Sequence, residues 1–337
     1  MKVAITGGGG FIGQALARAI IARGVLTGPG GAEAPVDELA LFDVAEPALP
    51  EAPGMAATAA EGITVTTAAG DVSDPAAVAA LIDRDDVSVF HLASVVSGGG
   101  ELDFDLAMRV NLTGALNVLE ACRARGGCPR LVFTSSIAVY GGAAMPKSVA
   151  DATRQTPETT YGASKAITEL LINDYTRKGF LDGRAARLPT VIVRPGRPNA
   201  AASSFVSGVI REPLAGEPCR LPVALETKMP VLGHRAVIAG LIALHEADGA
   251  ALGRDRALNF PSHSVRVAEM IAALERVAAG KDYALGKITV EPDPAIERIV
   301  ATWPGAMDSA RAEAIGLPKD ASLDAIIEAY IEDYLEG

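Results

Sequence analysis

The sequence predicts an α/β protein with a doubly wound, mostly parallel sheet and a smaller α/β lobe. Three observations predict it. Short β-branched runs alternate with Ala- and Leu-rich stretches across residues 1–196, the pattern of successive βαβ units. The runs are continuously apolar, as in "VAI", "LALF" and "LVF", which suits strands covered on both faces. A glycine-rich turn, "TGGGGFIG", stands between the first run and a helix-forming stretch, where such sheets meet phosphate groups. Together they describe a Rossmann-type doubly wound parallel sheet with a smaller α/β substrate lobe.

Strands are expected at "KVAIT" (2–6), "ELALFD" (38–43), "ITVTTA" (63–68), "VSVFHLA" (87–93), "RLVFTSS" (130–136) and "TVIVRPG" (190–196). The first helix follows the glycines as "QALARAIIARG". A second starts at Pro75, a favoured first helical residue, with Ser73 or Asp74 as its cap. Residues 26–37 and the Ala/Pro-rich 44–62 are expected as surface loops. Beyond Gly196 the alternation weakens into loop, helix and short strands. A helix at 233–247 returns to the sheet, "ALNF" (257–260) adds a strand, and helices near 265–279, 308–315 and 322–335 complete the second lobe. The division so read is 1–196 with 233–263 as the nucleotide-binding unit, and 197–232 with 264–337 as the substrate lobe.

The 337 residues are 49% hydrophobic, ample for burial, and carry a net charge of −11. A negative surface disfavours nucleic acid and anionic lipid. Cys122, Cys128 and Cys219 lack CxxC spacing and the four His do not cluster, so no structural metal is expected and a reducing compartment is. The opening residues lack the apolar core of a secretion signal, and no run approaches the ~20 apolar residues of a membrane helix. A soluble cytoplasmic protein is expected.

Gly7, Gly10 and Gly13 are spaced to let the chain turn, let a pyrophosphate approach the helix start and let helix pack on strand. Phe11 and Ile12 between them are expected beside the cofactor. Asp43 ends the second strand, where a carboxylate accepts from the adenosine ribose diol. No cation follows it for a 2′-phosphate, so NAD is favoured over NADP; the competing reading is a solvated strand-end carboxylate. Asp71, with Val72, meets the adenine or caps the next helix.

Tyr161 and Lys165 share one helix face a turn apart. A nearby ammonium favours the phenolate and brings tyrosine toward a useful range as a base. Ser135 and Ser136 end the fifth strand, on the sheet edge where ligands bind. The bland reading is a packed Tyr beside an unrelated Lys.

Taken together, "TGGGGFIG", "FHLAS", "VNLTGALNVLEACR", "VFTSSIAVYGG", "YGASK" and "VRPG" resemble the extended short-chain dehydrogenase/reductase family over residues 1–200. The resemblance implies Ser136, Tyr161 and Lys165 as the catalytic set, Asn111 as a structural and proton-relay residue, and Leu92, Ala93 and Pro195 as cofactor contacts. It implies a homodimer through a four-helix bundle made by the "YGASK" helix and the one near 102–124.

Two departures narrow the reaction. Ile137 and Ala138 stand where relatives that eliminate water carry Asp-Glu, and "MPVLGHRAVIAGLIAL" shows no clamp for a nucleotide diphosphate. Segments within 194–337 look like a branch of the family acting on small sugar acids. A small anionic sugar acid needs a cation: Arg235 is the first choice, then His234, Arg197 and Ser203. Ser94, Asn199 and Phe205 are expected to shape the pocket, and Trp303 is expected in the core. A nucleotide-sugar epimerase retaining NAD and a non-catalytic NAD-binding regulator are the alternatives.

Overall fold

The structure, a computed structural model, describes residues 1–50, 62–197 and 203–336. A seven-stranded sheet runs in the order Ala257–Asn259, Asp182–Leu188, Arg130–Ser136, Val87–His91, Lys2–Thr6, Glu38–Asp43, Thr64–Ala69. Every neighbouring pair in it is parallel. The chain order reverses at Lys2–Thr6, where Ile5 lies opposite Leu41 on one side and Phe90 on the other. That reversal opens the crevice at the strands' carboxyl ends in which doubly wound sheets bind ligands.

Both faces are covered, as the continuous apolar runs require. On one face, helices Phe11–Arg23 and His234–Glu246 bury Leu16, Ile20, Val237 and Leu241 against Val3, Ile5, Leu39 and Phe90. On the other, Pro75–Leu81, Gly114–Arg123 and Thr160–Arg177 bury Val78, Val118, Leu119 and Ile172 against Ala4, Val89 and Phe133. Asp74 caps the second helix by accepting from the Ala76 N–H (2.9 Å), with Pro75 at its first position.

A second core lies beyond the sheet. Helices Ser204–Leu214, Val267–Gly280 and Leu323–Tyr334 bury Val209, Ile210, Met270, Leu274, Ile327 and Tyr330 beneath a three-stranded sheet of His263–Arg266, Lys228–Gly233 and Thr190–Ile192. Cys219–Leu221 pairs with Ile288–Val290.

The fold corrects three sequence expectations. The sheet's strand beside Arg130–Ser136 is Asp182–Leu188, whose two arginines, Arg184 and Arg187, masked a buried run, and "TVI" (190–192) belongs to the three-stranded sheet. Residues 26–37 hold most of a β-hairpin, Val25–Thr27 against Glu33–Pro35, in place of the expected loop. Glu246 ties the hairpin down, accepting from the Thr27 N–H and from Arg23. Ala312, in helix Ala310–Ala314, packs into the main core and not the second. Of the expected loop at 44–62, residues 51–61 lie outside the described set.

Candidate active site

The glycine loop is built for close approach. Gly7 has φ +74°, and a Cβ there would stand 2.7 Å from the Ala93 N; one on Gly13 would stand 2.2 Å from the Gly7 carbonyl. Any larger residue forces the helix off the strand. Gly10 caps helix Phe11–Arg23 without a side chain, leaving its N–H groups free for a phosphate. Asp43 sits beside this loop, its Oδ2 accepting from Gly9 N (3.0 Å) and its Oδ1 from Val44 N (2.7 Å). Loop, helix start and strand-end carboxylate thus fit a dinucleotide, with the negative charge placed against a 2′-phosphate. Asp71 accepts from Ser73 N (2.8 Å) in a tight turn, while Val72 is buried. Phe11 turns its ring away, toward His234 (5.8 Å) and Tyr334 (5.9 Å).

A cavity of about 280 Å³ opens at the crevice, lined among others by Ile12, Leu92, Ser94, Ser136, Tyr161 and Lys165. Thr159 starts the tyrosine helix, Thr160–Arg177, by accepting from Gly162 N (3.0 Å). Gly162 lets that helix touch the serine turn: a Cβ on it would stand 2.0 Å from the Ala138 carbonyl. Across the contact, Ser136 Oγ accepts from Ala138 N (3.1 Å). Asn111 lies in a six-residue π-helical stretch, Met108–Thr113, a bulge that redirects one side chain. Its Oδ1 accepts from Val95 N (2.7 Å) and Ser94 Oγ (3.1 Å), fixing the loop that forms the cavity's near wall.

Burial governs the electrostatics. It raises the Tyr161 phenol above its ordinary value, opposed by a hydrogen bond with Ser136. Lys165, 2% exposed, donates to the Thr134 carbonyl (2.7 Å), and its Nζ lies 4.5 Å from the Phe133 ring centre and 5.4 Å from that of Tyr161. Desolvation pulls its ammonium down to about 7, opposed by the charge of Glu169. Sequence spacing alone expects the lysine to lower the tyrosine; here burial dominates, and the opposing influence comes from Ser136. His91, stacked on Phe133, is held neutral, pulled to about 3 by burial and by Lys165. Ser135 donates to buried Glu169 and is not the exposed member of its pair.

Several expected residues stand elsewhere. Arg235 is spent on two carboxylates, donating to Asp333 (2.9 and 2.5 Å) and Glu332 (2.9 Å). His234 Nε2 pairs with Asp333 Oδ2 at 2.7 Å. Both line a separate groove with Ala15, Arg18 and Tyr334. Pro195 is not among the cavity's lining residues; the proline there is Pro189, which follows the correctly placed strand. Ser203 lines the cavity, Phe205 packs on the second core, Arg197 is exposed, and Asn199 lies outside the described residues. Trp303 packs against the second core, as expected, and also lines the cavity with Ile299. Sequence reasoning also missed Gly162 and Pro189; the glycine beside the tyrosine was the available signal for the first. Among the described residues no group of His, Cys, Asp and Glu is arranged to hold a metal, and no helix is long and apolar enough to cross a membrane.

Comparison with known proteins extends the geometry. Residues 3–255 match the NAD dependent epimerase/dehydratase family. The chain is 48% identical over 333 residues to D-erythronate dehydrogenase of Cupriavidus necator, covering 99% of this chain and 98% of that protein. It is 38% identical to the D-erythronate dehydrogenase of Haemophilus influenzae, covering 98% and 99%. A crystal structure described as the nucleoside-diphosphate-sugar epimerase from Agrobacterium tumefaciens superposes with a TM-score of 0.89 at 39% identity, covering 100% of this chain and 95% of that one. With a loop, a strand-end carboxylate and a crevice that fit the dinucleotide, the chain belongs to the NAD dependent epimerase/dehydratase family and is an NAD-dependent oxidoreductase.

Proposed function

We propose that the protein oxidises a secondary hydroxyl of a small sugar acid, D-erythronate at C2 to 2-oxo-tetronate (2-dehydro-D-erythronate). The near full-length 48% identity to a D-erythronate dehydrogenase carries the substrate assignment. The cavity supports it: Ser94, Ser97, Ser136, Thr159, Thr190 and Ser203 ring a small space with hydroxyls, which suits a four-carbon polyol acid. Arg235 is withdrawn as the carboxylate's partner. Its place passes to these hydroxyls and, at the mouth, to Arg298 in an adjoining groove that shares Ser97, Thr159 and Ile299 with the cavity.

Bound NAD supplies the hydride acceptor. Tyr161, as phenolate, removes the proton of the substrate hydroxyl, and Ser136 holds that oxygen through its own hydroxyl. Lys165 holds the nicotinamide ribose and, as an ammonium 5.4 Å from the Tyr161 ring centre, stabilises the phenolate. Leu92, Ile12 and Trp303 exclude water, which strengthens each of these interactions.

The pairing surface is proposed on the same helices. Leu102, Phe104 and Leu170 are 87%, 60% and 64% exposed, and Leu116 and Ile167 add to them on the helices Gly114–Arg123 and Thr160–Arg177. Exposed apolar side chains so concentrated mark an interface, here with a second copy across a four-helix bundle.

The epimerase reading keeps one observation in its favour, the 39% identity to the Agrobacterium protein so described. Purified protein is tested with NAD and a panel of D-erythronate, L-threonate, D-threonate, uronic acids and UDP-glucose, following NADH absorbance. The proposal expects NADH from a tetronate, falling ~10³-fold in Tyr161→Phe. UDP-sugar interconversion with no net NADH supports the epimerase.

A further inference from the structure

Phe11 carries the first side chain after four consecutive glycines, Gly7 to Gly10. A loop without side chains is not pinned by packing, and glycine has the most backbone freedom to lose on ordering. Hydrogen bonds hold this one: Gly8 N donates to Phe42 O (3.1 Å), Gly9 N to Asp43 (3.0 Å), Gly10 N to the Gly7 carbonyl (3.1 Å) and Gln14 Nε2 to the Gly8 carbonyl (2.9 Å). Phe11 adds an apolar tether, and it runs to the second lobe.

Three rings meet there. Between ring centres Phe11 lies 5.8 Å from His234 and 5.9 Å from Tyr334, and His234 lies 5.3 Å from Tyr334, with interplanar angles of 46°, 64° and 62°. Inclined pairs at such separations are the ones ring quadrupoles favour. Tyr334 also stacks on Tyr330 (5.8 Å), which is 3% exposed within the second core. A run of rings thus joins that core to the first residue of helix Phe11–Arg23, at whose start the free N–H groups fit a diphosphate.

Helix ends fray, yet Tyr334, the last residue of helix Leu323–Tyr334, is held. Beside it Asp333 accepts from Arg235 Nε and Nη2 (2.9 and 2.5 Å) and pairs with His234 Nε2 (2.7 Å), while Glu332 accepts from Arg235 Nη1 (2.9 Å). The two residues first considered for the substrate's carboxylate are thereby the ones that fix the third ring.

We propose that Tyr334 is a positioning residue for the cofactor: held by His234 and the Asp333 clasp, it fixes Phe11, and through Phe11 the helix start that receives the diphosphate. A loop ordered before binding spares the ligand the cost of ordering it. The benefit falls on the diphosphate and not on adenosine, whose expected partner Asp43 belongs to the strand Glu38–Asp43. The inference concerns cofactor binding and stands whatever the substrate.

Dissociation constants of the full chain for ADP and for adenosine, by titration calorimetry, test it without substrate or turnover. In Tyr334→Ala the ADP constant is expected to rise about tenfold, the scale of the lost ring pairs, with the adenosine constant unchanged. Initial rates are expected to show KM for NAD rising alike and kcat at saturating NAD unmoved. Tyr334→Phe, which keeps the ring, is expected to bind ADP as the wild type does. Should the alanine variant fail to fold, Tyr334→Leu fills the space without a ring and is expected to weaken ADP selectively. A folded variant that weakens ADP and adenosine equally, or that weakens neither while its melting temperature falls, overturns the proposal and leaves the rings as packing between lobes. A Tyr334→Phe that loses ADP affinity as the alanine does overturns it as well, since the ring is then not what holds Phe11.

Discussion

Tyr161 and Lys165 enter the cavity with their proton affinities pushed apart, the phenol raised by burial and the ammonium pulled down to about 7. For the lysine this has a stability consequence of definite sign. Between about pH 7 and its unfolded value near 10.4 the unfolded chain holds a proton that the native chain lacks, so stability rises with pH across that window. Urea melts of the unliganded protein at pH 7 and pH 9 are expected to show Lys165→Met losing this rise, a difference of about 1–2 kcal/mol, while turnover disappears. Gly162 is the second residue whose identity is fixed by geometry. With 2.0 Å between its would-be Cβ and a backbone oxygen, Gly162→Ala must move the tyrosine helix off the serine turn. Kinetic constants are expected to show kcat reduced ~10²-fold or more, since such a shift misplaces base against substrate. The pair Tyr161 and Lys165 was legible from spacing and context. Gly162 was not, because its need arises from a loop that meets the helix only in the fold.

The tyrosine helix does two jobs with two faces. Its inward face carries Tyr161, Lys165 and Glu169; outward, Ile167 and Leu170 are exposed, as is Leu116 on the helix Gly114–Arg123. Leu170→Glu combined with Phe104→Glu is expected to convert a dimer to a monomer in light scattering, with the fold retained, because neither residue contributes to a core. A dimer unchanged by both charges contradicts the bundle. At this scale the sequence was readable where period and caps agreed, as at Asp74–Pro75 and at the helix 234–246. It misled where composition masked burial: Arg184 and Arg187 sit in a strand with no polar face to give them, satisfied by Asp182 two residues before Arg184 and by Glu169, which the fold brings to Arg187. Missing that strand drew attention to Pro195 in place of Pro189, which lines the cavity. The hairpin after the first helix was missed for a similar reason, since Glu246, which holds it, lies 219 residues from Thr27.

At the scale of the molecule, the sheet reversal at Lys2–Thr6 places glycine loop, Asp43, Ser136 and Tyr161 around one crevice, while the second core brings Trp303 and Ile299 over its mouth. The first part was legible because each motif ends a strand, and strand ends converge in a doubly wound sheet. The second was not, because no motif says which way a lobe faces. Asp43→Asn is expected to raise KM for NAD about tenfold and to narrow the preference over NADP, read from initial rates with each cofactor, if the strand-end carboxylate beside the glycine loop holds the ribose diol as proposed. The central claim is net oxidation of a sugar acid, and the ratio of NADH released to D-erythronate consumed tests it most directly. The account predicts one to one, with 2-oxo-tetronate as the product by mass spectrometry. D-erythronate left intact, with a UDP-sugar interconverted and the cofactor returned unreduced after every turnover, would contradict it.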